Sequence, residues 1–197
     1  MKRKKKRQQQ EKGSYGKCWE YLKESRIYFL IVVLLFLASF IVGCAFPVFF
    51  NEAIEEFMRN VLSETETMNF LQLFLFILQN NLSTAFTGMV FGLVLGVFPI
   101  LISLLNGYVL GYVSGEVVMI AGLSSLLRLL PHGIFELPAL IISLGLGIKL
   151  GSFIFVKNKK RQLVHDLKNS FRIFLLVIIP LLFVAALIEA GLIMMLG

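Results

Sequence analysis

Long apolar runs separated by short polar stretches set the rhythm of this chain. Ile27–Phe46 is twenty residues without a charge. At ~1.5 Å of rise per residue, a helix of that length crosses a hydrocarbon core of ~30 Å. Similar runs follow at about 82–105, 107–122, 131–155 and 173–196, so the pattern predicts an all-α protein with about five transmembrane helices. Phe70–Leu78 is apolar but too short to span, and Asn69, Gln72, Gln79 and Asn80 punctuate it. It reads as an interfacial helix, part of an outer segment 51–81 that begins with the acidic stretch Asn51–Asn69. Glu52, Glu55, Glu56 and Arg59 have the spacing of a short solvated helix. Asn106-Gly107 reads as the turn between the second and third spans.

Within the spans, small residues recur at intervals of four: Gly88, Gly92 and Gly96; Gly107, Gly111 and Gly115; Ser143, Gly147 and Gly151. Each series lines one helix face, where it lets a neighbouring helix approach closely. Pro99 is expected to kink the second span.

Composition sharpens the class. With 57% of 197 residues hydrophobic, this is no ordinary water-soluble domain. The net charge of +7 would suit nucleic acid if it were spread over one surface, but it is segregated. Residues 1–26 carry ten Lys or Arg against three Glu, residues 157–172 carry six against one Asp, and residues 51–69 carry five Glu against Arg59. That asymmetry places the tail 1–26 and the basic loop 157–172 in the cytoplasm, the acidic loop outside and the C-terminus outside. The chain then divides into a basic tail, 1–26, and one transmembrane domain, 27–197, of a multi-pass cell-membrane protein whose first partner is the lipid bilayer. The tail would rest on anionic headgroups. A signal peptide is the rival reading of the first apolar run, but the run is long and lacks a small-x-small cleavage site. Two cysteines, Cys18 and Cys44, give no disulfide or zinc framework; Cys18 is a weak candidate for acylation.

Against this apolar background, Pro131-His132-Gly133-Ile134-Phe135-Glu136-Leu137-Pro138 stands out. Pro131 suits the first turn of a helix, His132 and Glu136 then share a face, and Pro138 frees the carbonyl of Ile134. The pair either caps and fixes the helix or takes part directly in function. Residue counting puts Glu136, Glu189, Asn80 and Asn81 in the outer third of the membrane, with Glu116 near the midplane and Asn106 at the inner turn. A shared polar pocket of His132, Glu136, Asn80, Asn81 and Glu189 is the simplest account, since carboxylates at that depth need pairing or water. Lys149 is expected to snorkel toward the cytoplasm. A metal site lacks a third ligand, no cofactor motif is present, and Ser124 and Ser125 near His132 lack a nucleophile elbow, so no catalytic residue is assigned. The sequon Asn81-Leu82-Ser83 lies too close to the membrane to be read as a glycosylation site.

With these residues placed, the chain resembles the stage II sporulation protein M family of integral membrane proteins. The resemblance rests on Asn80-Asn81 ahead of a Gly-rich span, on Leu105-Asn106-Gly107-Tyr108-Val109-Leu110-Gly111, on Pro131 to Ala139 and on Ile188-Glu189-Ala190. It implies a five-span helical protein. In endospore-forming bacteria the namesake is a membrane anchor in engulfment that assembles with two peptidoglycan-degrading proteins; relatives also occur where no spores form. The very basic amino terminus here departs from the family pattern.

Two functions are carried forward. One is a non-catalytic membrane scaffold that anchors other membrane or envelope proteins, its small-residue stripes also offering a homo-oligomer surface. The other is a small channel or transporter, suggested by Glu116, Glu136 and Glu189 and by the break at Pro138.

Overall fold

A computed structural model describes residues 13–47, 51–124 and 130–196. Among them every regular element is helical: α1 (Ser14–Glu24), α2 (Arg26–Ala45), α3 (Asn51–Thr65), α4 (Phe70–Val90), α5 (Val97–Ala121), α6 (Leu130–Gly151), α7 (Lys159–Ile173) and α8 (Ile179–Leu196). Five stretches are long and apolar enough to cross a membrane: Arg26–Ala45, Phe70–Leu93, Val97–Ile120, Gly133–Phe155 and Lys159–Met195.

Three boundaries differ from the sequence expectation. The segment Phe70–Leu78 is no interfacial helix but the first half of α4. Asn69 caps it, its side chain accepting from Gln72 N at 3.0 Å while Gln72 Oε1 accepts from Asn69 N at 3.0 Å. This reciprocal cap starts a helix that runs on through Gln79 and Asn80, because amide side chains do not interrupt a helical backbone. The turn expected at Asn106-Gly107 lies instead at Val94–Gly96. There α4 tightens through a 3₁₀ turn (Phe91–Leu93), Leu95 and Gly96 take φ of 56° and 72°, and Gly96 N donates to the Gly92 carbonyl at 2.7 Å. Glycine fits the left-handed backbone. Pro99 falls in the first turn of α5, where its missing N–H has no intrahelical partner, so it opens a helix and does not kink one. Asn106 and Gly107 are mid-helix.

The basic loop expected over 157–172 is helical from Lys159 onward, free of Gly and Pro and rich in Lys, Arg, Gln and Leu. It runs into the last span through a π-helical turn, Phe174–Ile178. Pro180 lies just beyond; its ring crowds the Leu176 carbonyl and lacks an N–H, and widening the preceding turn relieves both. In α6 the helix continues through Pro138.

The core centres on α6. More than half of its span is buried (56%), against 17–39% in the other four. On one side α4 meets it backbone to backbone: a Cβ on Gly92 would strike the Gly147 carbonyl, and one on Gly151 the Gly92 carbonyl. Ser143 Oγ donates across this contact to the Ala85 carbonyl at 2.6 Å. On the other side α2 and α5 form the most extensive pair. Gly107 and Gly111 lie against the carbonyls of Phe36 and Phe40, and Gly43 against that of Tyr108. Hydroxyls stitch the seam, Ser103 to the Val32 carbonyl at 3.2 Å, Ser39 to the Leu104 carbonyl and Tyr108 to the Phe46 carbonyl at 2.9 Å. In lipid such contacts must hold helices together by van der Waals packing and hydrogen bonds, since apolar burial gives little drive there. α8 completes the bundle, Ala186 and Ala190 packing on Leu73, Phe74 and Ile77 of α4.

The two ends of the bundle differ. At one, α3 covers α5, with Ile54 buried against Tyr108 and Tyr112; this is the acidic end. At the other, α1 packs on α7 to make the basic end.

Candidate functional site

The basic end contains a buried polar cluster drawn from α1 and, far from it in sequence, from the consecutive helices α6 and α7. α1 turns Cys18 and Tyr21 inward and leaves Tyr15 and Trp19 exposed, so one face packs on the bundle while the other stays amphipathic toward the membrane boundary. Ser25 separates α1 from α2, and its hydroxyl donates to the Tyr21 carbonyl at 2.7 Å. Into this joint reaches Lys149 from the last turn of α6. Its ammonium donates to Ser25 Oγ at 2.9 Å and stands 3.6 Å from the centroid of the Tyr21 ring. The Tyr21 hydroxyl donates in turn to Asp166 Oδ1 on α7 at 2.9 Å.

Asp166 is 2% exposed and Lys149 8%. Charges so deep persist only with partners. Asp166 also accepts from Gln162 Nε2 at 3.1 and 3.0 Å, and His165 Nδ1 lies 3.3 Å from Oδ1. Lys149 has the hydroxyl of Ser25 and a π face; an ammonium over a desolvated tyrosine ring contributes ~2 kcal/mol. Burial, the Asp166 charge and the bond to its carboxylate push the Tyr21 phenol well above its ordinary pKa, so it remains a donor. Burial also raises the Cys18 thiol, with Arg172 opposing. Two open clefts flank the cluster. One of 260 Å³ lies between α1 and α7, edged by Lys17, Lys168 and Arg172 and by Glu20 and Glu24; one of 430 Å³ lies by Arg161, Gln162 and His165. The arrangement clamps α1 to α7 and displays mixed charge around it.

The residues singled out in the sequence are distributed differently. Lys149 does not snorkel into solvent; Ser25 and the Tyr21 ring hold it inside, offering a better partner than a stretch toward water. Asn80 and Asn81 are not at the outer boundary: they lie ten and eleven residues into α4, ~15 Å down its axis, with Asn80 exposed and Asn81 half-buried. Glu116 is not at the midplane. With the turn at Gly96, it stands twenty residues up α5, ~30 Å, at the acidic end. Asn106 is half-buried and donates to the Ile102 carbonyl of its own helix at 2.8 Å. Glu136 and Glu189 are half-buried on α6 and α8, Glu189 beside Ala190 where α8 meets α4. Glu116, Glu136 and Glu189 thus share the acidic-end half, but α5 and α8 have no extended contact among the described residues. The His132 side chain and residues 125–129, including Arg128 and Ser125, lie outside the described residues. No group of three His, Cys, Asp or Glu among the described residues is placed to hold a metal ion.

Of the glycines, Gly88 faces Leu144, Gly92 faces Gly147, Gly96 faces Ile148 and Gly147 faces Gly88, while Gly115 has 3.8 Å to Cys44. Close approach also occurs at Gly43 and at Gly145, which meets the ring of Phe29. The cluster around Asp166 had a sequence signal: a lone acid among six bases, with Gln162 and Ser170 four residues either side on the same helical face. Its link to Tyr21 and Lys149 is long-range and had none.

A family model described as Stage II sporulation protein M matches residues 29–192, so it covers Lys149 and Asp166 but not Tyr21 or Ser25. An uncharacterised protein of Methanocaldococcus jannaschii is 30% identical over 174 residues, covering 84% of this chain and 77% of that protein. No solved structure matches the chain. With most of its length matched by that model, the chain belongs to the stage II sporulation protein M family, as a helical membrane protein.

Proposed function

We propose that this protein is a non-catalytic membrane scaffold that anchors envelope or membrane proteins at the basic end of its bundle, which faces the cytoplasm. The observation that carries the reading is the clamp of α1 to α7 through Tyr21, Lys149 and Asp166. α7 belongs to a helix of 37 residues, ~55 Å long and well beyond a ~30 Å core, so its basic half extends past the membrane. Held there against α1, it forms a fixed platform whose clefts carry both signs of charge, a surface suited to protein contacts. Inside the spans, glycines and hydroxyls close helix against helix, which fits a support better than a pathway. Charge asymmetry supports a cytoplasmic basic end.

The test is a photo-reactive residue at Lys168 or Arg161, beside the clefts, compared with one at Leu34, exposed on α2. Discrete adducts with one or a few proteins from the cleft positions, and none from Leu34, are expected. Solute flux through the purified protein in liposomes, with no adducts, would replace the scaffold with a transporter.

A further inference from the structure

The outward face of α4 carries polar groups where a lipid-facing helix should have none. Its bundle side is Leu73, Phe74, Ile77, Ala85, Gly88 and Met89. The opposite side, by 100° steps, holds Gln72, Leu75, Gln79 and Ser83, with Asn80 on its flank, and all five are exposed; Phe86 closes this side against the rings of Phe171 and Phe174. Gln79, Asn80 and Ser83 lie within ~4 Å of the midpoint of the Phe70–Leu93 span, too deep to reach headgroups. Among the described residues none of their side chains has a hydrogen-bond partner. In hydrocarbon an amide without one is costly, and polar side chains in spans almost always face protein or water.

We propose that this face is a self-association surface, on which α4 of a second copy packs with Gln79, Asn80 and Ser83 bonding across a two-fold axis. The chemistry selects the occupant. A carboxamide is donor and acceptor at once, so two copies of the same surface satisfy each other without any complementary residue type. α4 has no charged residue, so no oppositely charged partner is called for. Gln72 and Gln79 lie seven residues apart, the spacing that keeps one seam on a neighbouring helix, and the small Ser83 beside Gln79 admits a close crossing. This inference is independent of the scaffold reading and holds for a transporter equally.

Self-contact on a two-fold axis brings a residue close to its own copy, which cysteine cross-linking reads directly. In full-length protein carrying Cys44→Ala, Ser83→Cys in oxidised native membranes should give mostly a disulfide dimer. Leu34→Cys on α2 and Leu187→Cys on α8, both exposed, should stay monomeric. In lipid vesicles, the double variant Gln79→Leu/Asn80→Leu should associate at least tenfold more weakly by energy transfer between labelled copies, at unchanged yield. Monomeric Ser83→Cys, equal dimer from Leu34→Cys, a Ser83→Cys adduct with a different protein, or undiminished association of the double variant would each overturn the proposal.

Discussion

Tyr21 and Asp166, 145 residues apart, are joined by a 2.9 Å hydrogen bond that ties α1 to α7. It predicts a graded series. Tyr21→Phe keeps the ring under Lys149 and removes only the bond to the carboxylate, worth ~1.5–3 kcal/mol for a charged acceptor. Asp166→Ala strands the Tyr21 hydroxyl and the Gln162 amide and removes the negative charge near Lys149, so it should destabilise more. Limited proteolysis should show cleavage between α1 and α2 accelerating in that order. Equal rates in wild type and both variants would remove the clamp from the account.

The same bond sets a pH dependence. The Tyr21 phenol has its pKa raised by burial first and then by Asp166, against ~10 when unfolded. The neutral form is thus the one the fold prefers. Its contribution is full below pH ~10 and is lost as pH rises from there toward the folded value, because the unfolded chain then binds fewer protons. Glu24 acts in the same direction, Lys149 lies over the ring, and the His165 ring sits edge-on at 5.9 Å. Thermal unfolding in detergent should decline above pH ~10, and Tyr21→Phe should flatten the decline.

Cys18 is buried against the bundle, and burial raises its pKa. Thiol labelling of the folded protein should therefore be slow at Cys18 at neutral pH and should quicken as pH climbs past the ordinary thiol range, since the thiolate reacts. Denaturant should abolish the protection. Rapid modification of native Cys18 at pH 7 would mean that α1 does not dock as described.

The glycine stripes show how much of this architecture was legible. Repeats of four at Gly88–Gly96 and Gly107–Gly115 announce close packing, because periodicity alone decides which residues share a face. Which helix meets which is not in the pattern, and the turn falls at Gly96, three residues before Pro99, where the four-residue spacing reads as packing, while the turn-forming pair Asn106-Gly107 lies inside a helix. A glycine needed for a carbonyl contact looks, in sequence, like a glycine needed for a turn. The acidic-end pocket suffered from that shift: moving the turn by ten residues moves Glu116 by ~15 Å. At the basic end, Tyr21, Lys149 and Asp166 meet only through tertiary structure.

These contacts separate the glycines by consequence. Gly92→Ala and Gly111→Ala place a Cβ on the backbone carbonyls of Gly147 and Phe40, which cannot swing away. Gly115→Ala has 3.8 Å to Cys44, and Gly191→Ala meets nothing within 4 Å. The first two should cut the yield of folded protein in mild detergent several-fold; the last two should leave it unchanged and gain slightly in helix propensity, ~1 kcal/mol at most. Gly92→Leu should be worse than Leu34→Phe, a change on the exposed side of α2. Indifference to alanine at both Gly92 and Gly111 would mean those backbones do not touch.

Sidedness is the prediction on which the scaffold reading most depends. If all five stretches cross, α1 and the end of α8 are expected on opposite faces, and α1 and α7 share one end of the bundle. Their combined excess of Lys and Arg predicts that this end is cytoplasmic, because cationic segments are retained there during insertion. Glu64 on α3 should then be outside and Lys160 on α7 inside. In intact cells, an impermeant thiol reagent should modify Glu64→Cys and spare Lys160→Cys, with both reacting once the membrane is opened. A chain inserted the other way would reverse the labelling. The clamp and the clefts would then face the cell exterior, and their partners would have to be sought among secreted proteins, with the five Glu of the acidic stretch turned to the cytoplasm.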